Sequence, residues 1–294
     1  MVNKIKDFLQ LIKPSLSIMV VFSSVMSFVL TPAFGNYEEK WKWVLLLFAG
    51  GMLVTGSANA INQVVEKDTD AIMKRTAKRP VASGRLSVQE GWAFAILTGA
   101  AGVFILGNYF NWTAAGLAAF SLFLYAFIYT PLKKVNSIAV LMGAIPGAFP
   151  CLIGWAAGND ALSAGGWVLF AVQFFWQFPH FWAIAWIAHT DYTKAGFKLL
   201  PADKGPTKFT ALQTVIYSLL LLPVTLMPYF IGMSEYRTVP GMIGVVLIIL
   251  ANLFMMMRSI NLYRLMDVPS ARKVMFGSYL YLPVVLLALL LSKG

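Results

Sequence analysis

Residues 43–61 read WVLLLFAGGMLVTGSANAI, and residues 62–80 that follow read NQVVEKDTDAIMKRTAKRP. The first segment carries no ionisable group and is long enough to cross a bilayer as a helix, whereas the second is crowded with charge. The same alternation, uncharged runs of about 20 residues between short charged connections, repeats along the 294-residue chain. With 59% hydrophobic and 12% charged residues and a mean hydropathy of +0.72, the chain has more apolar surface than one soluble core could bury. Lipid must solvate it.

Nine candidate spans follow, at about 14–34, 43–61, 91–108, 112–131, 136–157, 164–187, 210–232, 241–257 and 273–292. They are continuously apolar, so they read as helices rather than as the short alternating strands of a barrel. The first, from Pro14 to about Thr31, follows Lys4, Lys6 and Lys13 like a signal peptide, but it is too long and no small-residue cleavage site follows; it reads as a retained helix. The expected fold is an all-α polytopic bundle, one intramembrane domain over residues 1–294. The single cysteine, Cys151, lies inside a span and excludes disulfide frameworks and Cys-ligated metal sites.

Charge fixes the expected orientation. Of the 23 Lys and Arg residues, only Lys40, Lys42, Arg237 and Lys293 fall on one set of connections; the rest fall on the other, together with the N-terminus. That bias places the N-terminus and the long loops in the cytosol and the C-terminus outside the cell membrane. The net charge of +11 then reflects topology, with anionic lipid headgroups as its partner and no nucleic acid needed to explain it.

Two connections on the basic side, about 62–90 and about 188–209, are longer than neighbouring helices require and hold most of that side's acids. If the second span stays helical past residue 61, Asn62, Glu66 and Asp70 lie at i, i+4 and i+8 on one face. Oxygen ligands gathered in this way suit Mg2+, which shares its coordination sphere with water and substrate phosphates. Asp68 falls on the opposite side of an ideal helix and reaches the same ion only if the helix bends. Lys74, Arg75, Lys78 and Arg79 follow before Pro80, which is the cationic company a diphosphate needs. The plainer alternative is a solvated juxtamembrane loop of mixed charge.

The pattern Asn62-x-x-x-Glu66-x-Asp68-x-Asp70, then Met73-x-Arg75-Thr76-x-x-Arg79-Pro80, resembles the first aspartate-rich motif of the UbiA-type intramembrane prenyltransferases. Glu66 stands where the general pattern has Asp, which keeps the carboxylate and adds a methylene. A second segment, Trp176-Gln177-Phe178-Pro179-His180 with His189, Asp191, Tyr192, Lys194 and Lys198 beyond it, is similar to the heme-prenylating branch of that superfamily, the protoheme IX farnesyltransferases or heme O synthases. Ala195 replaces a second loop aspartate common elsewhere in the superfamily, and Lys198 stands where the branch has proline. A third match runs through Tyr129-Thr130-Pro131-Leu132-Lys133-Lys134 and the Pro146 and Pro150 segment to Trp155.

The resemblance implies a helical bundle around a central cavity open to the cytosolic side. It implies Mg2+-dependent transfer of a farnesyl group from farnesyl diphosphate to a vinyl carbon of heme b, giving heme O for terminal oxidases, with a heme A synthase or an oxidase-assembly factor as the receiver. Metal ligation falls to Asn62, Glu66, Asp68, Asp70 and Asp191, diphosphate contact to Lys74, Arg75, Arg79, Lys194 and Lys198, and catalysis to Asn62, Glu66, Asp70, Arg75 and Asp191. His180, as an imidazole in an apolar span, is a candidate for heme iron or proton transfer, and equally for a hydrogen-bonded structural group. Lys133 and Lys134 are candidates for a heme propionate or the diphosphate, or for plain membrane anchors. The rival readings are prenylation of an aromatic quinone precursor and, from another class, a membrane transporter with acids on its substrate path.

Overall fold

A computed structural model describes residues 2–201 and 205–293; the expected loop 188–209 is therefore described except at 202–204, and Lys204 lies outside the described residues. The elements in order are α1 (Val2–Ile12), α2 (Pro14–Leu30), α3 (Lys40–Val65), α4 (Lys67–Ile72), α5 (Val88–Tyr109), α6 (Trp112–Phe123), α7 (Thr130–Leu132), α8 (Ile138–Asn159), α9 (Ala164–Ile187), α10 (His189–Lys194), α11 (Lys208–Phe230), α12 (Val239–Leu265) and α13 (Val268–Leu291). Eight helical stretches are long and apolar enough to cross a membrane, counting Trp112–Leu132 as one, and nine if α1 and α2 form one span bent by 42°. The expected number of spans is recovered. Some ends move outward, α3 to Val65 and α12 to Leu265, where polar side chains carry the helix past the apolar core to water, while the first span stops short, at Leu30 rather than 34, ahead of Pro32. Helix α1 is an addition that hydropathy does not single out. Phe8 stacks on Phe94 at 5.4 Å and Asp7 pairs with Arg85 at 2.8 Å, which pins α1 against α5 and the loop before it.

Capping sets several helix starts. Ser87 and Glu90 form a reciprocal capping box at α5, and Asn111, Thr207, Thr238 and Asp267 each accept a backbone N–H in the first turn of α6, α11, α12 and α13. In lipid no hydrophobic force drives one helix onto another, so close packing of small residues and interhelical hydrogen bonds must hold the bundle. On the α3–α5 face a side chain at Gly102 would strike the Gly50 carbonyl, and Ser57 donates to the Ala95 carbonyl at 2.7 Å. On the α2–α8 face Gly154 lies against the backbone of Ser24 with no room for a Cβ.

Helix α8 is the most buried span and carries Pro146 and Pro150 inside it. A helical proline frees a carbonyl one turn back, and in lipid that carbonyl needs another donor. Pro150 frees the Pro146 carbonyl, to which Ser121 of α6 donates at 3.2 Å, and Gln173 and Gln177 of α9 add bonds to the Gly147 and Ala144 carbonyls at 2.8 and 2.9 Å that tie α9 to α8. The span expected at 112–131 is not uniform: α6 passes into a π-helical segment, Leu124–Tyr129, before α7. Pro131 has no N–H for the carbonyl four residues back, and the Thr130 N–H bonds to the Tyr125 carbonyl instead, so the ladder slips by one residue.

The two long loops lie at one end of the bundle and touch. Met73 packs with Ala195 and Phe197, and the Lys198 N–H donates to the Lys133 carbonyl at 2.8 Å. The functional residues gather beneath this seam.

Candidate active site

Helix α3 ends at Val65, and α4 begins at Lys67 after a kink at Glu66. The backbone bonds Glu66 N–H to Asn62 C=O at 3.0 Å and Asp70 N–H to Glu66 C=O at 2.6 Å carry the i to i+4 register across that kink. Asn62, Glu66 and Asp70 therefore keep the shared face anticipated from spacing, and all are buried; Asp70 is 0% exposed. A turn then reverses the chain, held by Thr76 Oγ1 donating to the Asp70 carbonyl at 2.9 Å. The reversal brings Arg79 back onto Asp70, with Nη1 at 2.8 and 2.6 Å from its two carboxylate oxygens.

Lys133 closes the other side. Its Nζ donates to Glu66 Oε1 at 2.8 Å and lies 4.4 Å from the centre of the Tyr129 ring. Tyr129 in turn packs on Gly143 of α8, where a side chain would overlap the ring. Lys13, at the α1–α2 bend, donates to Asn62 Oδ1 at 3.4 Å. Its backbone is left-handed, φ 50° and ψ 68°, a conformation costly for a residue with a Cβ and one that concentrates at functional sites.

These groups surround a small polar pocket of about 130 Å3, lined by Asn62, Glu66, Asp70, Arg79 and Lys133, with Arg75 and Tyr192 at its edge. Lys13, Arg75, Arg79 and Lys133 outnumber Glu66 and Asp70, so the cluster carries excess positive charge. Burying two ion pairs is weak as a stabilising device, because the desolvation cost rivals the attraction and apolar residues of similar size would serve as well or better. The arrangement fits an anion held jointly by cations and a metal. Its oxygen atoms, from two carboxylates and an amide, are the hard set Mg2+ takes, while the buried Asn62 Nδ2, an N–H donor with no hydrogen-bond partner, suits an anion's oxygen. Among the described residues no three His, Cys, Asp or Glu side chains converge enough to hold a metal by themselves. An ion here would take its remaining ligands from phosphate oxygens and water, as Mg2+ usually does.

The fuller ligand set expected from the sequence is not brought together. Asp68 is exposed, as its position on the opposite helix side required, and Asp191 in the first turn of α10 is half-buried without lining the pocket. Lys74, Lys194 and Lys134 are exposed, and exposed Lys198 lines a separate surface hollow with His189. His180 faces away from the pocket. Its Nδ1 is 2.7 Å from Ser278 Oγ and its ring stacks on Trp176 at 4.8 Å, which seats it in the packing between α9 and α13. Lys133 is occupied with Glu66 rather than presented at the surface.

Two apolar cavities lie near the pocket, one sharing its wall and the other reaching, at Asn59 and Tyr125, to within one helical turn of Asn62 and Tyr129. One, of about 390 Å3, shares Arg75, Tyr129, Tyr192 and Leu199 with it and is otherwise walled by Leu16, Phe181, Met275 and Tyr279 among others. The other, of about 130 Å3, extends into the bundle between α2, α3, α6 and α8. The π segment serves both sides, with Tyr125 facing the deep cavity and Tyr129 the polar pocket and the wide chamber. Lys13 and the separate duties of Tyr125 and Tyr129 were not legible in the sequence. Lys13 read as one basic anchor among several, and a π slip leaves only Pro131 as its trace.

Comparison with known proteins adds independent findings. The profile of the UbiA prenyltransferase family matches residues 19–290. A protoheme IX farnesyltransferase of Cytophaga hutchinsonii is 41% identical over 293 residues, covering 100% of this chain and 99% of that protein. Among solved structures, one from work on digeranylgeranylglyceryl phosphate synthase aligns with a TM-score of 0.78 at 18% identity, covering 99% of this chain and 98% of that one. A UbiA homologue from Archaeoglobus fulgidus bound to GPP and Mg2+ aligns with a TM-score of 0.68 at 14% identity, covering 96% and 99%. The structural likenesses establish the fold, the profile and the full-length identity establish descent, and the chain belongs to the UbiA prenyltransferase family.

Proposed function

We infer that this chain transfers a farnesyl group from farnesyl diphosphate to a vinyl group of heme b, with addition of water, to make heme O and release diphosphate. The observation that carries the reading is the buried cluster of Asn62, Glu66 and Asp70 with Arg79 and Lys133, sharing a wall with one apolar cavity and lying one helical turn from a second. Full-length likeness to protoheme IX farnesyltransferases supports the acceptor.

Asn62, Glu66 and Asp70 would hold Mg2+, which when bound supplies positive charge to the departing diphosphate. Arg79 and Lys133 stand within reach of the same anion, and Lys13 and Arg75 flank it, so charge developing on the leaving group meets cations already in place. The allylic fragment left behind is exposed to the Tyr129 ring and to apolar walls rather than to water, which delays its capture until the acceptor is reached. The deep cavity suits the isoprenoid tail and the wider chamber a flat acceptor. Asp191 and Asp68 would join the metal only after movement of α4 or α10. His180 would act on heme only through a rearrangement of its Ser278 contact.

The distribution of Lys and Arg supports an inner-membrane topology with the N-terminus and both long loops in the cytosol and the C-terminus outside. An oxidase-assembly factor or a heme A synthase is the class of protein that would take the product. A transporter reading loses support, since the acids sit at the end of the bundle in a pocket that contains its own counter-ions.

Incubating purified protein with farnesyl diphosphate and Mg2+ in the presence of heme b or of 4-hydroxybenzoate tests the assignment. Farnesylated heme and no prenylated benzoate is the expected result; product from the benzoate alone would transfer the reading to a quinone-precursor enzyme.

A further inference from the structure

The deep cavity is closed by packed side chains at the end away from the polar pocket. From each helix that lines it, the residues farthest from the polar pocket are Ser24 of α2, Gly51 of α3, Leu106 of α5, Ala118 of α6 and Ile153 of α8. Leu106 and Ala118 are 0% exposed, and both belong to a packed cluster with Phe28, Leu47 and Leu152 that fills the bundle beyond them. That cluster is stapled by edge-to-face rings, Phe28 on Phe34, Tyr37 and Phe110 at 5.2 to 5.7 Å. Leu106 also lies where a Cβ on Gly50 would touch it at 3.3 Å, so α3 backs it directly. Along α3, the distance from Asn62 at the pocket to Gly51 at the floor is roughly 16 Å at 1.5 Å per residue. That is about the extended reach of three isoprene units.

We propose that Leu106 and Ala118 set the length of the prenyl donor, accepting three isoprene units and stopping a fourth. The proposal rests on the prenyl-transfer reading above and adds to it the residues that choose among donors. The wall above the floor is mostly apolar, with Thr55, Asn59, Ser121 and Tyr125 the polar exceptions, so isoprenoids that differ only in length are distinguished chiefly where the tail ends. A fourth unit would have to displace Leu106 from a close-packed cluster, and interiors at that density yield only by moving their neighbours. A two-unit donor would leave the floor uncovered and lose the contacts of the missing unit. Discrimination by a hydrophobic pocket at the level of missing or extra carbons amounts to about tenfold or more.

The test uses the full-length protein in lipid nanodiscs with heme b, Mg2+ and, in turn, geranyl, farnesyl and geranylgeranyl diphosphate, reading product mass and kcat/KM for each donor. Wild type is expected to favour farnesyl over either alternative by about tenfold or more. Leu106→Ala, which deepens the floor, should bring geranylgeranyl to within about threefold of farnesyl. Ala118→Leu, which raises the floor, should make geranyl the preferred donor, and it keeps the proposal open to refutation if Leu106→Ala fails to fold. Equal use of geranylgeranyl and farnesyl by wild type, or the wild-type profile in both variants, overturns the length assignment while leaving farnesyl transfer standing. No prenylated heme from wild type with any donor overturns the parent reading and the assignment together.

Discussion

Two buried polar regions of this bundle are built on opposite principles. At the loop end, Glu66 with Lys133 and Asp70 with Arg79 bury charge in a pocket that shares a wall with an apolar cavity. In the half formed by α9, α11, α12 and α13, buried polar groups are neutral and pair locally: His180 with Ser278, Ser218 with Ser259, and Asn252 with Thr225 and Tyr281. Neutral pairs hold helices together in lipid at modest gain, about 0.6 kcal/mol each on average. Buried charges carry a desolvation cost that packing does not need, so their presence marks the region where charge has work to do on a ligand.

Substitutions can break this contrast, and the largest effect should come from Asp70→Ala. Turnover should fall by about a hundred- to a thousandfold, the scale of a lost electrostatic transition-state contact. Stability should also drop by about 3 kcal/mol, the low end of the range for a broken buried pair, because Arg79, partly buried, is left without its partner. Donor-dependent product formation and thermal unfolding in detergent measure the two separately. Glu66→Gln combined with Lys133→Met sharpens the point: removing both charges together should leave stability within about 1–2 kcal/mol of wild type while turnover is lost. A double variant that unfolds would mean that the pair is structural.

An intermediate effect is expected at Lys13. Lys13→Gly relieves the left-handed backbone and removes the amine, so kcat should fall about ten- to a hundredfold with no loss of melting temperature. A near-normal rate would make Lys13 a membrane anchor only. The smallest effect belongs to the neutral half. Asn252→Ala should cost about 1 kcal/mol of stability through the lost contacts to Thr225 and Tyr281, with kcat within about twofold of wild type.

The same contrast explains what could be read in advance. The spans were legible because bilayer thickness imposes length and apolarity on each one, and the Asn62, Glu66 and Asp70 face was legible because helical spacing is a local property. What three-dimensional meeting decides was hidden. That Lys133, far along the chain, comes to Glu66 depends on α7 and the second loop closing over α4, and nothing local in either segment records it. His180 illustrates the reverse: an apolar span makes its imidazole conspicuous, yet Ser278 of α13 already satisfies it. Asp191 was conspicuous for its motif, but its helix turns it away from the pocket edge that its neighbour Tyr192 lines.

If the buried acid and cation cluster activates a metal-bound diphosphate for transfer to heme, product must depend on both the metal and Asp70. Mass spectrometry of the porphyrin products from heme b and farnesyl diphosphate, with wild type and Asp70→Asn, each with Mg2+ and with EDTA, tests it most directly. Farnesylated heme should form only with wild type and Mg2+. Product in EDTA, or from Asp70→Asn at a rate near that of wild type, would remove the metal or the acid from the reaction.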